Sequence, residues 1–93
     1  MIKSFNNKAL RGFWETGSTK GLALAKQAVR IRQILEALAA ATKPTDMDLP
    51  GLNFHNLAPT RPSTYTLKVN GPWRITFRFE GEDATDVDLE QYH

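Results

Sequence analysis

Ninety-three residues, 41% apolar and 24% charged, suffice for one domain (residues 1–93) around a single modest core. The chain has no cysteine, which excludes disulfides and thiolate chemistry and leaves any zinc site to histidine and carboxylates. Its net charge of +2 conceals an asymmetry: residues 1–43 carry +6, residues 44–79 carry +2 and residues 80–93 carry −6. A basic half of that kind suits a polyanion or an acidic partner, unless the acidic end simply neutralises its basic neighbour.

The first residues, MIKSFNNKAL, are too polar for a signal peptide or a membrane span, so a cytoplasmic protein with no membrane contact is expected. Ile2–Phe5 can start a short strand. Asn6 or Asn7 then caps a short helix, and Gly17 suits the left-handed position beyond its last turn. Gly12 weakens that helix, which therefore depends on the packing of Phe13 and Trp14. The strongest helical pattern runs from Leu22 to Ala41. Leu24, Ala28, Ile31, Leu35 and Leu38 recur at steps of four and three and form one stripe, with Lys26, Arg30 and Gln33 on another side. Ser18 or Thr19 is placed to cap this helix and Pro44 to stop it; its alanine-rich end allows a bulky neighbour to approach closely.

Residues 44–62 hold four of the five prolines and read as loop, with a weak strand pattern in GLNFHNL around His55. The last third is β. Tyr65, Leu67 and Val69 alternate with Thr64, Thr66 and Lys68, and Asn70-Gly71 signals a hairpin. Trp73, Ile75, Phe77 and Phe79 then alternate with Arg74, Thr76 and Arg78. After a turn at EGED, Thr85, Val87 and Leu89 alternate with Asp86, Asp88 and Glu90. The expected fold class is α+β: two N-terminal helices packed on one face of a small, mainly antiparallel sheet.

The other face can bring together His55, Arg61, Lys68, Arg74, Arg78, Tyr92 and His93. Together they would form a kit for cutting RNA without a metal. Attack by a 2′-hydroxyl needs a base, an acid for the leaving 5′-oxygen and fixed positive charge around the phosphorane oxygens. Histidine serves either proton role near neutrality, arginine offers a planar charged fork, and tyrosine can stack on a base or donate a proton. Each residue also has a plainer reading. Arg74 and Arg78 face an acidic strand and can form solvated cross-strand pairs; His55 can be a loop residue bonded to backbone; Tyr92 can seal the sheet edge. Asp86, Asp88 and Glu90 are read as neutralising those arginines rather than as a cation site, so no metal or cofactor is expected.

The motifs also carry a resemblance. MIKSF at the start, ETG at 15–17, LAAAT ending the long helix, PG at 50–51, His55 and the closing VNGPWRITFRFEGEDATDVDLEQYH together resemble the HigB toxins of the RelE/ParE superfamily. That resemblance implies a bacterial toxin paired with a helix-turn-helix, HigA-like antitoxin, with operator DNA reached only through the antitoxin. It implies entry into the ribosomal A site and metal-free cleavage of the mRNA there. By position, the family's catalytic residues correspond to His55, Arg74, Tyr92 and His93. Lys68 matches a phosphate-binding position, and Asn70, Arg61 and Arg78 are grouped with it as candidate RNA contacts. On this reading Arg74 and Lys68 stabilise the phosphorane, His55 and His93 move protons, and Tyr92 positions the nucleotide. Lys8, Arg11, Lys20, Lys26 and Arg30 form the basic cluster expected to meet rRNA phosphates. The chain departs from the pattern at Ala58 and Gln91, where members can carry a lysine and an acid, and at Asn70, where some place an arginine. Two other functions therefore stay open: poisoning DNA gyrase on the same fold, or acting only as an antitoxin-binding co-repressor.

Overall fold

The computed structural model describes residues 1–91. Helix α1 spans Lys8–Thr16, and Asn7 rather than Asn6 caps it, its Oδ1 accepting from the Leu10 N–H at 2.9 Å. The helix turns Leu10 and Phe13 into the core. It ends at Gly17, whose φ of 79° lets its N–H donate to the Phe13 carbonyl at 2.8 Å. A Cβ there would meet only Arg32 Nη2, at 3.5 Å, so space is no obstacle. The left-handed backbone alone should make Gly17→Ala cost roughly 1–2 kcal/mol, read as a lowered urea midpoint at unchanged slope.

Helix α2 is shorter than its apolar stripe suggests, running from Ala28 to Ala40 behind a 3-10 turn at Ala25–Gln27. Gly21 and Leu24 take φ of 72° and 57°, and two left-handed residues so close together reverse the chain before a helix can begin. Neither Ser18 nor Thr19 caps it; Thr19 instead closes a turn by accepting from the Leu22 N–H at 3.0 Å. Ile31, Leu35 and Leu38 are buried as the stripe requires and Ile34 joins them, while Leu24 and Ala28 lie at the margin. Pro44 does not end α2. It opens a second 3-10 turn, Pro44–Met47, that drives Met47 fully into the core.

Four strands follow: β1 (His55–Asn56), β2 (Tyr65–Asn70), β3 (Trp73–Glu80) and β4 (Asp83–Gln91). They are ordered β1-β2-β3-β4 and antiparallel throughout. The amino-terminal segment lies parallel to β4 through isolated bridges, Ile2 to Ala84 and Phe5 to Val87, and so covers the edge that β4 would expose. One sheet face packs Leu67, Ile75, Phe77, Val87 and Leu89 against both helices in a single core. The hairpin closes one residue later than Asn70-Gly71 suggests. Asn70 pairs with Trp73, leaving Gly71-Pro72 as the loop, with Gly71 at φ 56°.

The alternation expected along β4 fails at one point. Thr76 pairs with Asp88 but Arg78 pairs with Thr85, so β4 carries one extra residue. Asp86 takes φ 52°, and its N–H donates to Ser4 Oγ at 2.9 Å. Beyond this bulge the phase inverts: Ala84 comes opposite Phe79 on the apolar side, and Thr85 faces Arg78. The bulge thus places Asp86 next to Arg78 instead of further along a regular acidic row.

Candidate active site on the polar face of the sheet

Two cross-sheet rows build the polar face. His55, Thr66, Thr76 and Asp88 are successive register partners across the four strands, and Lys68, Arg74 and Glu90 form the next row. Strand β1 is only two residues long, so its position comes from its flanks. The Leu52 carbonyl accepts from the Lys68 N–H at 2.7 Å, and the Thr64 carbonyl accepts from the Leu57 N–H at 2.8 Å. Arg30 reinforces the first of these. From α2 its guanidinium donates to the carbonyls of Val69 (2.8 Å), Gly51 (3.0 Å) and Lys68 (3.2 Å), tying helix, pre-strand loop and β2 together.

His55 and Arg74 line one cavity of about 300 Å³ with Asn53, Asn56, Leu57 and Thr66. His55 is exposed at the rim. Thr66 is 3% exposed, and its buried hydroxyl has no hydrogen-bond partner among the described residues. A buried hydroxyl without a partner is costly, and a polar group bound in the cavity would relieve it. Arg74 is half-buried, with Nη1 donating to the carbonyls of Gly71 (2.8 Å) and Trp73 (3.2 Å). These bonds orient the guanidinium and leave its charge in place. Among the described residues no carboxylate lies within ion-pair distance of Arg74.

The other candidates divide. Arg61 and Arg78 share a second cavity of about 280 Å³ with Asn6, Pro62, Thr64 and Asp86. Arg61 holds Glu90 by two bonds, Nη1 to Oε1 and Nη2 to Oε2, both 3.1 Å. Arg78 Nε lies 3.9 Å from Asp86. Cross-strand neutralisation therefore describes Arg78 and fails for Arg74. Lys68 is exposed and opposite Arg74 in register, but it does not line the His55 cavity; Asn70 is exposed at the hairpin end. Tyr92 and His93 lie outside the described residues. In the basic cluster, Lys8, Lys20 and Lys26 are exposed, Arg11 pairs with Glu15 at 3.2 Å, and Arg30 is the tie described above.

The acidic strand holds two carboxylates whose environments oppose each other. The hydrogen bonds from Arg61 hold Glu90 below the usual carboxylate range, against burial; the Thr76 hydroxyl adds to the effect. Burial pushes Asp88 up, against bonds from the Leu89 N–H and Asn7. Linkage gives the signs. A lowered folded value stabilises above the unfolded pKa and is lost as pH falls through the folded one; a raised value costs stability above the folded pKa, and that cost vanishes below the unfolded one. Glu90→Gln should thus lower stability at pH 7 by a few tenths to about 1 kcal/mol for a partly exposed pair, read from the urea midpoint, and lose its effect in acid. Asp88→Asn should raise the midpoint at pH 7 and converge with the parent below the ordinary aspartate pKa.

Sequence reading had no route to Thr66, Asn53 or Leu57 as cavity walls, nor to the Arg61–Glu90 bridge, whose members are 29 residues apart with no periodic relation. Arg30 carried a signal of another kind. An arginine beside an apolar stripe, facing a chain that must pass close to an alanine-rich helix, is suited to collecting carbonyls.

A fold of two helices and a four-stranded antiparallel sheet has the α+β arrangement of a RelE-like toxin. A family model described as the RelE-like toxin of the type II toxin–antitoxin system HigB matches residues 3–93, and the chain belongs to that family. A relative named Endoribonuclease HigB, from Proteus vulgaris, is 36% identical over 93 residues and covers 100% of both chains. Membership of a toxin–antitoxin system makes an antitoxin this protein's partner.

Proposed function

We propose that this toxin is an endoribonuclease that enters the ribosomal A site and cuts the mRNA there without a metal ion. Residues 1–93 act as a single domain in the cytoplasm. The reading rests on one observation above all: His55 and Arg74 face the same cavity, and the arginine's charge is not matched there by a carboxylate among the described residues. The name of the Proteus vulgaris relative supports the same reaction class.

In this mechanism the scissile phosphate sits against Arg74, with Lys68 adding charge from the adjacent strand and Asn70 contacting the nucleotide. The 2′-oxygen attacks phosphorus as its proton passes to a base; the bond to the 5′-oxygen breaks and that oxygen takes a proton from an acid. His55 and His93 supply the two proton roles. Those two histidines must do so because Ala58 and Gln91 cannot move protons, and Tyr92 positions the nucleotide. The exposed lysines of the helical half, Lys8, Lys20 and Lys26, meet rRNA phosphates. A HigA-like helix-turn-helix antitoxin binds the toxin and carries it to operator DNA.

Brief induction of the toxin alone, followed by mapping of mRNA 5′ ends, tests this. Clustered ends within translated codons are expected, and they should disappear on His55→Ala or on removal of the last two residues. Growth arrest without cuts would instead indicate a gyrase poison, and unimpeded growth an inert co-repressor.

A further inference from the structure

We propose that Arg61 is a positioning residue for the cleavage: it holds Glu90 away from Arg74, so that Arg74 keeps its charge for the phosphate. The inference rests on the endoribonuclease reading and adds to it a residue whose part is electrostatic and indirect.

The sheet register poses the problem that Arg61 solves. Arg74 and Glu90 are direct partners in the β3–β4 ladder, and opposed side chains there stand roughly 4.5–5.5 Å apart at Cβ. An arginine facing a glutamate at that spacing would ordinarily form an ion pair, and a paired Arg74 would meet an incoming phosphate half-neutralised. Yet both Glu90 oxygens accept from Arg61, each at 3.1 Å, and Oε2 also accepts from the Thr76 hydroxyl. Arg74 meanwhile directs Nη1 to the hairpin carbonyls of Gly71 and Trp73.

Arg61 can hold the carboxylate because its own backbone is fixed. Its N–H donates to the Leu57 carbonyl at 3.0 Å, and its carbonyl accepts from the Thr64 N–H at 3.2 Å. Leu57 lines the His55 cavity, so the loop that carries the clamp also forms one wall of the site. Of the other β4 carboxylates near this face, Asp86 lies 3.9 Å from Arg78, and Asp88 lies in the Thr76 row and accepts from the Leu89 N–H at 2.8 Å. Glu90 is therefore the carboxylate whose position decides the charge at Arg74. The geometry also argues against Arg61 as a phosphate ligand, since its two terminal nitrogens already face a carboxylate of matching shape.

A four-protein cycle tests the assignment: the parent, Arg61→Ala, Glu90→Gln and the double variant, each assayed for single-turnover cleavage of ribosome-bound mRNA and for thermal unfolding. Freed of Arg61, Glu90 should fall onto Arg74 and slow cleavage by roughly tenfold or more; Glu90→Gln alone, and the double variant, should stay within about threefold of the parent. Recovery of activity on removing a second group is a result that a merely structural bridge does not produce. If Arg61→Ala matches the parent, or if the double variant is as slow as Arg61→Ala, the assignment is wrong; the latter outcome would make Arg61 an RNA contact or a structural brace. If the parent leaves ribosome-bound mRNA intact, the endoribonuclease reading fails and this inference fails with it.

Discussion

Arg74→Ala should lower the single-turnover rate of mRNA cleavage by on the order of 10²–10³, the usual loss when one preorganised charge or donor facing a developing oxyanion is removed. The expectation follows from position. Arg74 is half-buried beside His55, oriented by two backbone carbonyls, and unpaired with any carboxylate among the described residues. In the proposed mechanism its charge is available at no reorganisation cost when the phosphorane forms. Arg74→Lys should recover only part of the loss, because an ammonium keeps the charge but offers no planar fork. Each variant also loses bonds to Gly71 and Trp73, which a melting curve would register as a small effect of roughly 1 kcal/mol. A large fall in cleavage with a small fall in stability separates the role in the reaction from the role in the hairpin. Equal rates for parent and Arg74→Ala would remove the basis of the mechanism.

Phe77→Ala carries the second large effect, on stability. Phe77 is fully buried and lies inside a run of ring contacts: Phe54 to Tyr65 at 5.5 Å, Tyr65 to Phe77 at 5.7 Å and Phe77 to Phe79 at 5.9 Å. Truncation at such a position costs about 3–5 kcal/mol through lost transfer free energy and the cavity left behind. A domain of this size holds only about 5–15 kcal/mol against unfolding, so the variant should melt some tens of degrees lower or fail to fold at 37 °C. Urea unfolding followed by tryptophan fluorescence would measure it. Phe77→Leu should retain most of the stability, since the site asks for apolar volume more than for an aromatic ring. The same substitution at half-buried Phe79 should cost clearly less, and that ordering checks that the core is centred under β3.

The two variants separate the faces of one strand. Residues 74 and 77 lie on opposite sides of β3, so the first should affect rate with little effect on fold, and the second the reverse. That division explains why arginines and large apolar residues can alternate along one short segment. The helices need one side of β3 dry, and the proposed reaction needs the other side charged.

Much of this was legible in the residues. The period-two alternation of β2 and β3 identified the strands and their buried faces, because burial on one side of a sheet leaves a regular mark on local composition. Asn7 and Gly17 bounded the first helix because capping depends on a few adjacent groups. His55 and Arg74 could be named as candidates from their chemistry and from the family resemblance. The limits of α2 were less legible, since a left-handed Leu24 is not a local preference of leucine; packing of Leu22 and the turn at Thr19 outweigh it. The bulge at Asp86 was hidden for a similar reason. Its support is the Ser4 hydroxyl, 82 residues away, and its consequence is an inverted phase at Thr85 that no alternation rule anticipates.

By itself, then, the order of residues marked the strands and the sheet's dry side, because both depend on neighbours a few positions apart. Which charges cancel was decided only in three dimensions. Composition sets the acidic strand against all the arginines alike, whereas folding gives Glu90 to Arg61, Asp86 to Arg78 and none of the described carboxylates to Arg74. An ion pair needs a few ångströms of separation and a fixed orientation, and between residues 29 positions apart only the folded chain supplies both.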